Sequence, residues 1–565
     1  MAELGREGDS ARAAAPAPRP LGAIAVAAGI FCSRIAGLAR TSVLASVFGV
    51  GPHADVWSTA LRLPNLLQNL LGEQTLSASF IPVYSRLLGQ GKRAEAGRFA
   101  GAIFSLLAAV AGGAALVGVL LARPIVALFA SGFLRDSERV ARGLASVDRF
   151  ELAVVAVRWM FPMSGLLVLS AWALGVLNSH RRFFLSYVAP VVWNAAILGA
   201  VFWAARRGGD PSGGRPDDRL LLAACVGAMA GGALQFLIQL PGVMRDLEGF
   251  RFGFGVGWPP VREALGAFLP TLAGRGAVQI SSYIDQFLAS WLAAGALGAL
   301  AYAQTLYLLP VSLFGLSLAA AALPDLARRR GEGLTSEIEL SLRRRLVQSA
   351  YLNLPASVAY LLLGFPVVEG IFRLFGRRFG TEESWLVYGV LAAYSLGLPA
   401  ATQARVLQSG LYAGGDARSP ARYSMLRLAI GFGLGVPLML VLDRFGVSSV
   451  GVAAGLSGGA LRLGAVGLAL AASVAAWVEL AALRRAVRTM LGELPWPHAE
   501  ISRFAGQSIL AALLPCGILF SGALEGWHSA LRAALLLGIF GSTYLALSRD
   551  SGPWRELRAR FRWGK

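Results

Sequence analysis

The sequence predicts an all-α polytopic membrane protein of about 14 transmembrane helices, in two six-helix lobes followed by two C-terminal helices. The 565-residue chain is 56% hydrophobic and 15% charged, with a mean hydropathy of +0.59. Soluble domains usually have about 25% charged residues. Apolar runs of about 18 or more residues recur throughout, and each can cross a hydrocarbon core of ~30 Å. Because these runs are continuous rather than alternating, they indicate helices and not a β-barrel.

The predicted segments follow one another with short connections. Several are long enough to tilt or bend. Their approximate spans are 20–47, 54–88, 94–122, 152–178, 185–205, 219–243, 261–293, 295–327, 346–372, 385–413, 421–442, 449–482, 503–522 and 529–547.

The distribution of basic residues predicts that both termini are cytoplasmic. The net charge is +20, and Lys92 and Lys565 are the only lysines. Arginines are concentrated in loops 84–98 and 327–345 and after Arg549, whereas loops 48–53, 294–297 and 523–528 have neither arginine nor lysine. Cytoplasmic loops are normally the basic ones. Loops 123–151 and 206–219 depart from this pattern, with arginines and acidic residues together.

An internal repeat indicates two similar lobes whose helices cross the membrane in the same orientation. The spacing P-x3-R-x2-G-x-G occurs from Pro82 to Gly91 and again from Pro324 to Gly333. Parallel repeats of this kind are typical of transporters with a site between the halves. The predicted organisation is a disordered tail (1–19), an N-terminal lobe (20–245), a C-terminal lobe (260–488), two added helices (500–548) and a basic tail (549–565).

Two arginines in the first apolar run, Arg34 and Arg40, are the first candidate site residues. A charge at the bilayer centre costs about 2.5 kcal/mol or more. On a helix the two positions are ~9 Å apart along the axis and ~120° apart around it. Their long side chains can converge on one cavity, or either can extend to the membrane interface.

Other ionisable residues accompany this pair within apolar runs. Each can be a helix cap or an ion-paired packing residue. Intramembrane charges normally face a water-filled path or each other. Cations exceed anions here, so a cavity that they line suits an anion, and the planar guanidinium suits phosphate. The residues are Asp55, Arg62, Glu73, Arg275, Gln279, Asp285 and Arg405.

Several other chemistries find no support. The histidines at 53, 180, 498 and 528 form no metal pair, and the cysteines at 32, 225 and 516 have no metal-like spacing. No nucleotide, nucleophile or zinc motif is present, so we predict no enzyme, cofactor or metal. Basic loops beside anionic lipid explain the charge better than nucleic acid does.

Several motifs resemble the MurJ/MviN family of lipid II flippases, which belongs to a superfamily with polysaccharide-lipid flippases and multidrug exporters. They are SRIAGLARTSVLASVFGVGPHADVWSTALRLPNLLQNLLGEQTLSASFIPVYS (33–85), LNSHRRFFLSYVAP (177–190), GGALQFLIQLP (231–241), QISSYIDQFLAS (279–290), LPVSLFGLSLAAAALPDLAR (309–328) and GLYAGGDARSP (410–420).

The resemblance implies an inner-membrane protein that moves lipid II, a polyprenyl diphosphate-linked glycan, outward by alternating access. Its partners would be this glycan, membrane lipids and the cell-wall synthesis machinery. The family's helix 1 arginines match Arg34 and Arg40, and its helix 2 acidic residues match Asp55 and Glu73. With Arg62 and Arg275, these form the predicted substrate-binding set. Some relatives hold sodium in the second lobe, where Asp285 is the available carboxylate.

The sequence departs from the family pattern at two places. A basic pair is replaced by Gln68 and Asn69, and a helix 8 aspartate and arginine are replaced by Gln304 and Thr305. Arg275 is a candidate to replace the missing charge. Two alternatives therefore stay open at this point: a flippase for another polyprenyl diphosphate-linked glycan, and a membrane scaffold that has kept the fold without transport.

Overall fold

The computed structural model describes residues 20–207, 216–316, 335–376, 378–416, 418–449, 461–492 and 495–556. The predicted tail 1–19, the second copy of the repeat (Pro324 to Gly333) and residues 557–565 lie outside the described residues. Within these ranges all regular structure is helical, apart from one isolated bridge between Gly446 and Arg462. The predicted all-helical class is confirmed.

The first half of the chain forms a bundle in which α8, α9 and α10 pack together and α1 packs on α9. Its helices are α1 (Pro20–Phe48), α2 (Pro52–Arg62), α3 (Asn65–Leu71), α4 (Glu73–Gly89), α5 (Arg93–Leu120), α6 (Ala122–Phe129), α7 (Asp136–Ala141), α8 (Arg149–Ser179), α9 (Phe183–Arg206) and α10 (Pro216–Asp246).

The second half forms another bundle, in which α17 packs on both α15 and α16, and the last two helices attach to α13 and α14. Its helices are α11 (Pro259–Ser290), α12 (Ala296–Pro310), α13 (Thr335–Leu362), α14 (Gly364–Phe372), α15 (Thr381–Ala413), α16 (Arg418–Leu442), α17 (Gly464–Leu491), α18 (His498–Phe520) and α19 (Ser529–Leu547). A π-helical turn, Val311–Leu316, continues α12.

Ten helices in the described ranges are long and apolar enough to cross a membrane, or eleven if one bent pair counts as a span. The predicted count of fourteen is not confirmed. Predicted segment 54–88 is divided into α2, α3 and α4, because Pro64 lacks an N–H donor and Gly72 has an extended backbone. Predicted segment 346–372 bends by 80° between α13 and α14.

One hydrophobic core combines helices of both halves at one end of the molecule. It combines Trp57 and Phe133 of the first half with Leu300, Phe372 and Leu386 of the second. We call this end, which carries residues 48–55, 131–149 and 291–298, the outer end, after the orientation that the sequence predicts. Toward the other end there are two further cores, one around α4, α5 and α8, which includes Val261 and Ala264 of α11, and one around α13, α15 and α17.

The helix α11 lies between the two bundles. Its first half packs on α4, where Arg86 donates two hydrogen bonds to Glu263 (2.8 and 2.6 Å). Its C-terminal end reaches the outer end, beside the residues that follow α6. The predicted limits of the two lobes stay a prediction, since α11 contacts both halves.

Candidate functional site

A buried carboxylate, Asp55, joins the two halves at the outer end. It lies in the first turn of α2 and has no exposed surface. Its Oδ2 accepts hydrogen bonds from Arg149 Nη1 (2.9 Å) and Gly295 N (2.7 Å), and its Oδ1 accepts one from Gly298 N (2.9 Å). Because Gly295 and Gly298 begin α12, the carboxylate stabilises the positive end of that helix. We call these four residues the Asp55 cluster.

Glycine is needed at both positions that open α12. Gly295 has φ +98°, a left-handed conformation that side chains other than glycine rarely adopt. At Gly298 a Cβ atom would lie 2.7 Å from the Cβ of Ala54, which is closer than real Cβ contacts. The absence of a side chain therefore lets α2 and α12 approach closely enough for Asp55 to reach the backbone of the other half.

Further hydrogen bonds cross the same contact, which we call the outer seam. The ion pair of Arg378 with Asp217 also crosses it. The bonds run from Gln286 Nε2 to Thr59 Oγ1 (2.7 Å), from Tyr302 OH to Gly49 O (3.1 Å), from Gly132 N to Ser290 Oγ (3.1 Å) and from Trp291 Nε1 to Ser131 Oγ (3.0 Å). The halves are thus closed against each other at the outer end.

A second polar group surrounds Arg62 at the C-terminal end of α2. Arg62 Nη2 donates to Gln304 Oε1 (2.7 Å), and Gln304 Nε2 donates to the hydroxyl of Tyr394 (3.0 Å). Asp285 on α11 is exposed and lies within electrostatic range of Arg62 and Arg427. The structure therefore brings two predicted residues, Arg62 and Asp285, to one place between the halves, and Gln304 serves there as a neutral acceptor.

Two cations of the second half lie near this group, on α15 and α16. Arg427 Nη1 donates to Glu479 Oε2 (3.1 Å), and Glu479 also accepts from Gln408 Nε2 (3.1 Å) and Ser424 Oγ (3.2 Å). Arg405 is half-buried and forms no ion pair within the described ranges, although it lies within electrostatic range of Arg427. The two arginines share one carboxylate, so this surface is cationic.

The two arginines of α1 lie in the middle of that helix. Arg34 is exposed and Arg40 is half-buried. The Arg40 guanidinium lies 4.8 Å above the ring of Trp193 on α9, and its buried Nε has no hydrogen-bond partner. In the part of the chain that the structure describes, neither arginine forms an ion pair. Neither charge is therefore neutralised by a carboxylate in these ranges, and the role of both arginines in substrate binding stays a prediction.

The other predicted residues are placed as follows. Glu73 begins α4 directly after the break at Gly72 and is exposed. Arg275 lies on α11, and its side chain is outside what the structure describes. Asp55 is separated from the Arg62 group and is fully engaged in the outer seam. The assignment of these residues to substrate binding stays a prediction.

Sequence reasoning missed three charged residues that the structure brings into these groups: Arg149, Arg427 and Glu479. Arg149 belongs to loop 123–151, whose mixture of arginines with carboxylates departs from the charge pattern of outer loops and was a usable signal. Arg427 and Glu479 each interrupt an apolar run, as Arg34 does, and belong to the same class of signal.

No group of three or more potential metal ligands occurs among the described residues. Asp285 has guanidinium groups rather than further carboxylates in its electrostatic surroundings. That arrangement favours an ion pair over a cation site, so the predicted sodium role of Asp285 gains no support from its neighbours.

Two helical bundles that share a core at the outer end, with ten or more described helices able to cross a membrane, define the class as a polytopic membrane protein. A solved structure titled as an inward-facing multidrug resistance MATE family transporter of the MOP superfamily has this fold, with a TM-score of 0.55 at 15% identity over 82% of this chain and 99% of that one. A structure titled "Lipid II flippase MurJ, inward closed conformation" gives a TM-score of 0.70 at 21% identity, covering 94% of this chain and 99% of that one.

Sequence comparison gives the particular family. A family model described as lipid II flippase MurJ matches residues 44–461. A probable lipid II flippase MurJ of Rhizobium tropici is 32% identical over 427 residues, 75% of this chain and 76% of that protein. One from Vibrio cholerae is 27% identical over 536 residues, 93% and 94% of the two chains. The chain belongs to the MurJ family, and it is a multi-pass protein of the bacterial inner membrane.

Proposed function

We propose that this chain moves lipid II from the inner to the outer leaflet of the cytoplasmic membrane by alternating access. Family membership supports the flippase class and a lipid-linked substrate. The observation that carries the proposal is that each half has a guanidinium group without an ion pair in the described ranges, Arg40 on α1 and Arg405 on α15. These are the groups that a diphosphate needs.

Arginine recognises phosphate through two parallel N–H donors. Each charge-assisted hydrogen bond contributes roughly 1.5–3 kcal/mol. The ring of Trp193 lies against the Arg40 guanidinium, whose buried Nε has no hydrogen-bond partner. On the opposite half, Glu479 holds Arg427 beside Arg405. A diphosphate between the halves would contact cations on both, and the carboxylates of Asp285 and Glu479 would compete for them and assist release.

The second half can supply positive charge for the diphosphate, although α12 has Thr305 at the position where the family resemblance places an arginine. The Thr305 hydroxyl donates back to Ala301 O (2.9 Å) and offers no cation. Two residues further on, Tyr307 lies within electrostatic range of Arg405 and Arg427. We therefore assign the second-half phosphate contact to these two arginines. The preference for lipid II over another lipid-linked glycan comes from the family match.

Release to the other side requires the outer seam to open. This breaks the bonds from Asp55 to the first turn of α12 and those around Gln286 and Tyr302. No nucleotide motif is present in the sequence. A membrane potential is worth about 2.3 kcal/mol per charge per 100 mV. Because the substrate is an anion and the cell interior is negative, this potential would favour outward movement.

The same proposal includes the finer points that the family alone does not decide. Both termini would be cytoplasmic, as the basic loops 84–98 and 327–345 indicate. The protein would carry out transport without a catalytic step and without a cofactor. Cell-wall synthesis enzymes that use lipid II on the outer surface would be its functional partners.

The test is complementation of a bacterial strain depleted of its lipid II flippase, with lipid II exposure on the outer surface as the measurement. Wild type should restore exposure and growth. Arg40→Ala should fail at normal protein level, whereas Arg98→Ala should support growth. Arg98 is the matched control, because its guanidinium also lies over a tryptophan (4.9 Å above Trp258) but on the exposed face of α5. Loss of another surface glycan with normal wall synthesis would refute the lipid II assignment.

A further inference from the structure

A cavity of about 480 Å³ opens at the outer end, on the line where the two halves meet. The first half contributes Pro52, Asp136, Arg139, Arg149 and residues 144–147 to its wall. The second half contributes residues 293–294, Arg444, Gly446, Leu461 and Arg462. Four arginines thus line the cavity together with one carboxylate.

The charges around the cavity are partly paired. Arg149 bonds to Asp55 and Asp136, and Arg139 lies 4.0 Å from Asp136. Arg462 donates to the backbone oxygen of Asp443 (3.0 Å), and the Asp443 carboxylate lies within electrostatic range of Arg462.

Arg444 forms no ion pair in the ranges that the structure describes. Three guanidinium groups at the opening of the cavity are exposed: those of Arg139, Arg444 and Arg462. Each guanidinium has five N–H donors, so most of these donors are free.

We propose that this cavity is a binding site for a phosphate-class oxyanion, and that the bound anion holds the outer seam closed. Guanidinium groups from two sides match the oxygens of a phosphate. The cavity volume falls in the range of small-ligand sites, about 300–1,000 Å³. It can hold a free phosphate ion or the phosphate headgroup of an anionic lipid in the outer leaflet.

The position of the cavity determines the effect of the ligand. Arg139 and Arg149 belong to the first half, and Arg444 and Arg462 belong to the second. An anion that contacts both sides binds only while the halves are together. A ligand stabilises the state that it binds. Phosphate at the outer surface would therefore slow the opening that substrate release requires. Binding is independent of the proposed function, whereas the effect on transport rests on it.

Binding is tested with the purified full-length protein and inorganic phosphate, at constant ionic strength set with sodium chloride. Wild type should show saturable thermal stabilisation. The double variant Arg444→Gln/Arg462→Gln should bind at least tenfold more weakly. Arg142→Gln is the matched control, because Arg142 is exposed, directly follows α7 and lies outside the cavity wall. Equal binding by the double variant and wild type would overturn the site.

Nanodiscs distinguish the two sources of phosphate. If a lipid headgroup occupies the cavity, phosphatidylglycerol nanodiscs should abolish the response to added phosphate, and zwitterionic nanodiscs should keep it. Whichever ligand binds, it should protect the amides of residues 131–149 and 443–449 from hydrogen exchange in wild type. The same ligand should give no protection in the Arg444→Gln/Arg462→Gln double variant. Unchanged exchange would overturn the closing role. If complementation fails while this binding persists, the proposed transport function is wrong and the site stands.

Discussion

Replacing Asp55 with asparagine should open the outer seam. The carboxylate accepts hydrogen bonds from Gly295 and Gly298 across the seam, and from Arg149 within its own half. Asparagine has nearly the same shape, but it is neutral and presents an N–H₂ group to N–H donors. The substitution therefore weakens the contacts between the halves without removing side-chain volume.

The loss of closed-state stability in Asp55→Asn can be estimated from the hydrogen bonds that Asp55 makes across the seam. Two charge-assisted hydrogen bonds at roughly 1.5–3 kcal/mol each give about 3–6 kcal/mol. Asparagine can keep one weaker hydrogen bond. In the wild type, water would hydrate the carboxylate when the seam opens, which offsets part of the loss. We therefore expect Asp55→Asn to destabilise the closed state relative to the open state by about 2–3 kcal/mol. Since 1.4 kcal/mol corresponds to a factor of ten, the closed state should lose roughly 30- to 150-fold in relative population.

The assay is electron–electron distance measurement between spin labels on opposite sides of the seam. Labels are placed at Arg142→Cys and Ser449→Cys, in a chain whose cysteines at 32, 225 and 516 are replaced by serine. The distance distribution should shift to longer values in Asp55→Asn. Asp218→Asn is the matched control, because Asp218 bonds to His53 (2.6 Å) within the first half and does not cross the seam. Identical distributions in wild type and Asp55→Asn would refute the reasoning.

Three further predictions concern the same two regions. Gly298→Val should destabilise the closed seam, because a Cβ would already lie 2.7 Å from Ala54, and the spin-label distance should lengthen as in Asp55→Asn. Arg40→Lys should recover only part of the transport that Arg40→Ala loses, because an ammonium keeps the charge but not the planar pair of donors; complementation at matched protein level measures this. Arg427→Ala should reduce transport at least tenfold, and adding Thr305→Arg should restore part of it. If the double variant transports no better than Arg427→Ala, a cation at position 305 does not replace the phosphate contact of Arg427.

The helical class could be predicted because long apolar runs have few alternatives in a membrane. The breaks inside those runs were harder to predict. Segment 54–88 contains Pro64 and Gly72, yet either residue can also lie in a continuous transmembrane helix. Packing decides between these outcomes: α3 contacts α8 and α11, which come from distant parts of the chain. Hydropathy alone contains no information on those contacts.

The candidate site could be predicted only in part, because contacts between distant parts of the chain are not visible in the sequence. A charge in an apolar run is visible in the sequence, which is how Arg40, Arg62 and Asp285 were found. Its partner is not visible when it is distant: Arg149 lies 94 residues from Asp55, and the amide of Gly298 lies 243 residues away. A backbone N–H group has no signature in the sequence at all. Asp55 therefore matched a substrate-binding position by resemblance, while its contacts are those of a residue that joins the two halves.

In the proposed mechanism, neighbouring helices would supply the cation that the family resemblance places at residue 305 of α12. Residue 305 is a threonine that bonds to its own helix, and residue 304 is a glutamine that accepts a bond from Arg62. An aspartate at 304 would pair with Arg62 and cancel its charge, so a neutral glutamine leaves Arg62 cationic. Arg405 and Arg427 supply positive charge beside Tyr307 on the same helix. The loss of one acidic and one basic residue from α12 thus leaves the local net charge unchanged, and the space between the halves keeps the positive charge that a diphosphate requires.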